Sequence, residues 1–170
     1  MKRTYRLIVG VMGGSACTEQ QYALAKRVGQ LIAERGAVLV CGGMTGVMTA
    51  AAEGAREAGG LTIGILPGAN AHESPPNPFI EVALFTGLRE GRNYLNVAVS
   101  DGLIAIGGGY GTLSEIALAL RMGKPLVLVD TWQFSLRGET LAVPTTDPAE
   151  QAVDLLWQLM GFTDNPGTVR

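Results

Sequence analysis

Short apolar runs rich in β-branched residues alternate along the chain with longer stretches whose apolar positions recur every three to four residues, and glycine marks most changeovers. Residues 5–11 (YRLIVGV), 37–41 (AVLVC), 61–66 (LTIGIL), 102–106 (GLIAI) and 125–129 (PLVLV) predict strands, with a further apolar run near 79–85. The helical period predicts one helix entered through Thr18, with Gln21 set for a capping box, and ending at Gly36. An alanine-rich helix stops at Gly59 and Gly60, a third spans about 88–100 and a fourth about 112–122. The last helix is expected to open with Asp147 as cap, Pro148 in its first position and Glu150 in its third. Prolines 67, 75, 76 and 78 make 67–78 an irregular loop and a candidate lid; 131–146 predicts no clear element, and 163–170 is expected to fray.

This order predicts an α/β fold: a doubly wound parallel sheet with helices on both faces, in a single domain over 1–170. Ligands of such sheets sit beyond the carboxyl ends of the strands, where the strand order reverses. Three glycine-bearing loops fall at those ends. They supply the candidate ligand- and phosphate-binding residues: Gly13, Gly14 and Ser15; Gly43, Met44, Thr45 and Gly46; and Gly108, Gly109, Tyr110, Gly111 and Thr112. Bare backbone that leads into a helix lets a phosphate approach unpaired amides at the positive end of the helix dipole. Tyr110 could stack on the rest of such a ligand or face solvent.

Composition narrows the chemistry. Hydrophobic residues make up 47% of the chain and charged ones 16%, so helices buried on more than one side are expected, and with them a homo-oligomer, a homodimer or a dimer of dimers. A net charge of −2 without a basic stripe argues against a nucleic-acid polymer as partner. Two cysteines without C-x-x-C spacing and the single histidine, His72, predict no metal site and a reducing compartment. The short apolar run after the basic N-terminus reads as a strand, so no membrane segment and a cytoplasmic location are expected. The first loop, VMGGSACT, lacks G-x-G-x-x-G and the second strand ends without an acidic residue, which disfavours NAD; no G-x-x-x-x-G-K-[ST] occurs.

Two residues carry the remaining chemistry. Thr112-Leu113-Ser114-Glu115 fits the capping box, yet the same carboxylate stands at the mouth of the glycine loop, where it could orient a ribose or stabilise an oxocarbenium-like centre. In GLREGRNYLN, Arg92 is either a solvated helix-start arginine or a cation aimed at a phosphate, with Arg89 as competitor.

The stretch GGGYGTLSE, with Arg92 upstream and GGMTGVM after the second strand, resembles the LONELY GUY superfamily of Rossmann-like proteins over about 6–129. That family includes cytokinin riboside 5'-monophosphate phosphoribohydrolases. The resemblance implies a phosphate held by Gly108, Gly109, Gly111 and Thr112, with Glu115 and Arg92 as the catalytic pair if the chain is a hydrolase. Gly107 stands where the family has proline and Asn93 where it has lysine. GGGYGTLSEIALAL is more similar to a compact branch that includes molybdenum-cofactor carrier proteins. This implies a homo-oligomer that binds, stores and protects a phosphate-bearing pterin, molybdenum cofactor. The alternative is a phosphoribohydrolase that releases free base and ribose 5-phosphate.

Overall fold

A computed structural model describes residues 4–162; the tail expected to fray, 163–170, lies outside the described residues. The chain runs β1 (Ile8–Gly13), α1 (Glu19–Glu34), β2 (Val38–Cys41), α2 (Val47–Glu57), β3 (Thr62–Leu66), β4 (Val82–Phe85), a 3-10 turn (Arg89–Gly91), α3 (Arg92–Val99), β5 (Gly102–Ile106), α4 (Tyr110–Arg121), β6 (Leu126–Val129), a hairpin of β7 (Ser135–Leu136) and β8 (Glu139–Thr140), and α5 (Ala149–Leu159). The six long strands form one parallel sheet in the order β4-β3-β2-β1-β5-β6, so the strand order reverses between β1 and β5.

Side chains alternate across the sheet with the period of two that a strand imposes. On β5, Ile104 and Ile106 join the core beneath α1, α2 and α5, whereas Leu103 and Ala105 join the one beneath α3 and α4. With both faces covered, β2, β5 and β6 are buried at every position and read as unbroken apolar runs. This is the Rossmann-like α/β architecture expected.

Several boundaries differ from the expectation. β1 begins at Ile8 and continues through Gly13, because its ladder with β5 extends to Met12–Ala105 and Gly13–Ile106. The box at Thr18 forms: its hydroxyl accepts from the Gln21 amide, and the Gln21 side chain accepts from the Thr18 amide. The box expected at Thr112 does not. α4 starts two residues earlier, with Gly109 as N-cap and the Leu113 amide donating to the Gly109 carbonyl at 3.0 Å, so Glu115 sits a turn and a half inside the helix. At α5 the cap position falls to Pro148 rather than Asp147, and no side-chain cap bond forms.

The 67–78 loop is irregular, as expected, and is held by side-chain hydrogen bonds. The Asn70 side chain accepts from the amides of His72 and Glu73, Ser74 accepts from Gly68, and Asn77 donates to the Met44 carbonyl. Within 131–146, Arg137 and Gly138 both adopt positive φ, as a two-residue hairpin turn requires, and Thr145 bridges to Leu128.

Candidate functional site

The reversal between β1 and β5 opens a cavity of about 240 Å³ at the carboxyl ends of the strands. Gly13, Gly14 and Ser15 form one wall; Gly109, Gly111 and Thr112 form another; Arg92, Asn93 and Glu115 close it, over a floor that includes Met12 and Met48. Eight of the residues expected from the sequence therefore meet in one place.

Others stand elsewhere. Gly43 packs behind the cavity against Leu66 and Gly64, and the Met44 carbonyl accepts from Thr49 and Asn77. The Thr45 hydroxyl donates to the Ser15 carbonyl at 2.9 Å, and beyond Gly46 the Val47 amide donates to the Gly14 carbonyl at 3.1 Å. From Gly43 to Gly46 the second loop thus braces the first, while Gly42 at its start lines the cavity. Gly108 lies in a separate shallow groove with Gln21, Asp130 and Trp132. Tyr110 is 84% exposed, its ring 6.1 Å from that of Trp132, and the Trp132 indole donates to the Gly109 carbonyl.

Among the helices that begin at this edge, α1, α2 and α4 use their leading amides differently. The first amides of α1 are engaged by Thr18, and α2 gives its Val47 amide to Gly14. α4 has no side-chain cap, and Gly109, Gly111 and Thr112 of its start line the cavity, which sets the positive end of the helix dipole beside it.

Arg92 begins α3, and its guanidinium lies across Gly42: a Cβ at position 42 would stand 2.2 Å from Nη1. Burial lowers the Arg92 pKa, opposed by the charge of Glu115, and its Nε is buried without a hydrogen-bond partner. Arg89, the competitor, lies in the exposed 3-10 turn with φ +51 and does not line the cavity. Asn93, in the lysine position, donates to Ser114 Oγ at 2.9 Å, which ties α3 to α4 with a neutral group.

Glu115 is 6% exposed. Burial pushes its carboxyl up to about 7, while a hydrogen bond from Asn96 and the charge of Arg92 pull the other way. Asn96 Nδ2 donates to Glu115 Oε1 at 2.8 Å. Asn96 was not found from sequence, although Arg92, Asn96 and Ser100 mark a polar stripe at four-residue spacing along α3. Met48 left no such signal, whereas Gly42 begins the glycine loop after the second strand. Cys41 lies buried beneath the site with its thiol pushed up to about 11 by burial, and His72 sits in an exposed loop. Among the described residues no group of three or more His, Cys, Asp or Glu side chains could hold a metal ion, and no helix is long and apolar enough to cross a membrane.

An amide-lined helix end, one arginine and a buried carboxyl suit an anionic ligand that also presents a polar group to Glu115. Known proteins share this frame. The molybdenum cofactor binding protein of the phototrophic bacterium Rippkaea orientalis matches with a TM-score of 0.82 and 38% identity over 93% of this chain and 99% of that one. The molybdenum cofactor carrier protein of Chlamydomonas reinhardtii matches with a TM-score of 0.78 and 34% identity over 92% and 99%. A cytokinin riboside 5'-monophosphate phosphoribohydrolase of Mycobacterium tuberculosis is 35% identical over 64% of this chain and 62% of its own length. The SLOG cluster4 family model matches residues 6–153, which contain the whole sheet and every residue of the cavity, and the chain belongs to that family.

Proposed function

We propose that this protein is a carrier that binds a phosphate-bearing small molecule, molybdenum cofactor foremost, and shields it without turning it over. One observation carries the reading: the uncapped N-terminus of α4 and the guanidinium of Arg92 converge on one cavity. The residues fit the phosphate of the cofactor, held by the α4 amides and Arg92, with Ser15 and Asn93 as neutral polar neighbours. When bound, the cofactor would supply redox chemistry to an acceptor enzyme; this chain's part is to hold the phosphate and limit access of water. The likeness to carriers over nearly their full length supports this reading.

A second reading has its own support. Arg92 and Glu115 share the cavity in the manner of a phosphoribohydrolase pair, and a carboxyl near 7 suits general acid–base work. Against it, Asn93 supplies no second cation, leaving Arg92 as the one cationic side chain lining the cavity among the described residues. We also infer a homodimer built on α3 and α4, beside the cavity.

Binding of phosphorylated ligands, with free base scored after incubation with nucleoside 5'-monophosphates, separates the readings. A Cβ at Gly109 meets nothing within 4 Å, so Gly109→Asp should fold while placing an anion against the phosphate approach. We expect binding to fall at least tenfold in this variant, a loss of about 1.4 kcal/mol, while Glu115→Gln retains it. Base release by the native protein that disappears in Glu115→Gln would replace the carrier reading with the hydrolase one.

A further inference from the structure

Asn96 is a fully buried polar side chain on α3, which packs beside α4 on one face of the sheet. Its Nδ2 donates to Glu115 Oε1, and its own Oδ1 is buried with no partner. A buried unpaired acceptor costs stability that an apolar side chain of similar size would not. Compensation has to come from what the amide does for Glu115.

A carboxamide has a donor and an acceptor at nearly the same distance from its axis. As it stands, Nδ2 donates to Oε1, the bond that suits an ionised carboxylate, and Oδ1 is left over. Rotated half a turn, Oδ1 would accept a proton carried on Glu115 Oε1, and Nδ2 would be left over instead. Each orientation makes one bond to the carboxyl and leaves one polar atom unpaired, so Oε1 is held in both charge states, while the charge-assisted bond to the ionised form is the stronger and lowers the carboxyl pKa. The backbone of α3 that carries the amide is held independently, since Ser100 Oγ donates to the Asn96 carbonyl at 2.7 Å and Lys124 Nζ donates to the Ala98 and Ser100 carbonyls.

We propose that Asn96 is a positioning residue that pins Glu115 through Oε1 in both its protonated and its ionised form, so that an anion entering between Arg92 and the α4 N-terminus is accompanied by uptake of a proton on Glu115. The second clause rests on the reading of the cavity as an anion site; the first does not. Other groups act on this carboxyl in defined ways. Arg92, from α3, favours its ionised form, and Glu90, in the preceding turn, acts through Arg92. The Cys41 thiol of β2 also faces the pair, but burial keeps it neutral near pH 7. An entering phosphate would offset the positive field of Arg92, and the proton balance then moves toward neutral Glu115. One proton leaves the solvent and forms an O–H on the carboxyl; no other bond changes.

Two measurements test this. The first follows the Glu115 side-chain carboxyl carbon by NMR as a function of pH in the ligand-free protein, where Asn96→Leu should raise the titration midpoint by about one pH unit or more by removing a hydrogen bond to the charged form. Asn96→Asp, nearly isosteric, should raise it further, because two adjacent carboxylates cannot both ionise freely. An unchanged midpoint in both folded variants would overturn the positioning role; if Asn96→Leu fails to fold, Asn96→Asp alone decides. The second is calorimetric binding of inorganic phosphate near pH 7.5 in two buffers of different ionisation enthalpy. Because phosphate itself titrates near neutral pH, Glu115→Gln reports the proton exchange of the ligand alone, and the native protein should take up a fraction of a proton per phosphate more than this variant. Equal proton exchange in the native protein and Glu115→Gln would overturn the coupling, whereas failure of phosphate and nucleoside monophosphates to bind at all would remove the anion-site reading and the coupling with it, leaving the NMR result to decide Asn96.

Discussion

At the scale of single residues, the cavity is built on two polar groups held where water solvates them poorly. Glu115 makes a prediction about stability. Its carboxyl rises from an ordinary 4.5 to about 7, so between these values the folded protein keeps a proton that the unfolded chain releases. Stability contributed at this site is therefore present at pH 4.5 and lost as pH rises through 7. Replacement by a neutral isostere removes that loss. Glu115→Gln should match the native protein in urea unfolding near pH 4.5 and exceed it near pH 8, by on the order of 3 kcal/mol at most. Equal pH profiles for the two would mean that the carboxyl is ionised in the fold. Gly42 makes a second prediction. The atoms that a Cβ there would strike include the flexible end of Arg92 and the sulfur of Met48, so Gly42→Ala should fold with a small stability loss and displace the guanidinium. Anion affinity should fall several-fold while the melting temperature moves little. Gly42 begins the glycine loop GGMTGVM that the sequence marks, but its service to the Arg92 side chain is invisible there, and Asn96 was not found at all, because a buried asparagine is recognisable only once its partner is known.

At the scale of elements, the tightest contact is between α1 and α2. Gly29 and Gly54 let the two helix backbones approach: a Cβ at Gly29 would stand 2.0 Å from the Ala51 carbonyl oxygen, and one at Gly54 would stand 1.9 Å from that of Lys26. Here backbone rather than a flexible side chain stands in the way. Gly54→Ala, although it favours helix formation locally by about 1 kcal/mol, should destabilise the protein by about 1–3 kcal/mol in denaturant unfolding because the helices must separate. A neutral or stabilising outcome would show that the α1–α2 packing yields easily. Elements were legible in the sequence to the extent that local chemistry alone decides them. The box at Thr18 forms as its spacing predicts, whereas an equally good match at Thr112 does not, because Gly109 turns the chain into α4 two residues sooner. β1 was displaced toward Gly13 by pairing with β5, a partner about ninety residues away. The β7–β8 hairpin went unseen because each strand has two residues and Arg137-Gly138 is not a strong hairpin signal.

At the scale of the whole molecule, the alternation of apolar runs and helical periods was sufficient for a parallel doubly wound sheet, and the reversal of strand order then located the cavity. The assembly is a separate matter, governed by what the sheet leaves uncovered. α1, α2 and α5 cover one face and are tied by ion pairs such as Lys26 with Glu53 and Arg27 with Glu150. The other face carries α3 and α4, whose outer sides leave Tyr94, Val99 and Leu120 exposed, 37% or more each, while Val82 and Leu84 are exposed on the edge strand β4. A second copy of this layer is the partner such a surface suits, since an apolar patch on two helices can bury itself against its own image about a twofold axis. α3 also carries Arg92 and Asn96 on its inner side, so an interface on its outer side would brace the helix that shapes the cavity. Light scattering at micromolar concentration should give twice the chain mass. Tyr94→Glu combined with Leu120→Glu should halve it, because each dimer would then bury four new carboxylates without partners. A native protein that is monomeric under these conditions would contradict the interface and leave the apolar outer side of α3 and α4 to a different partner.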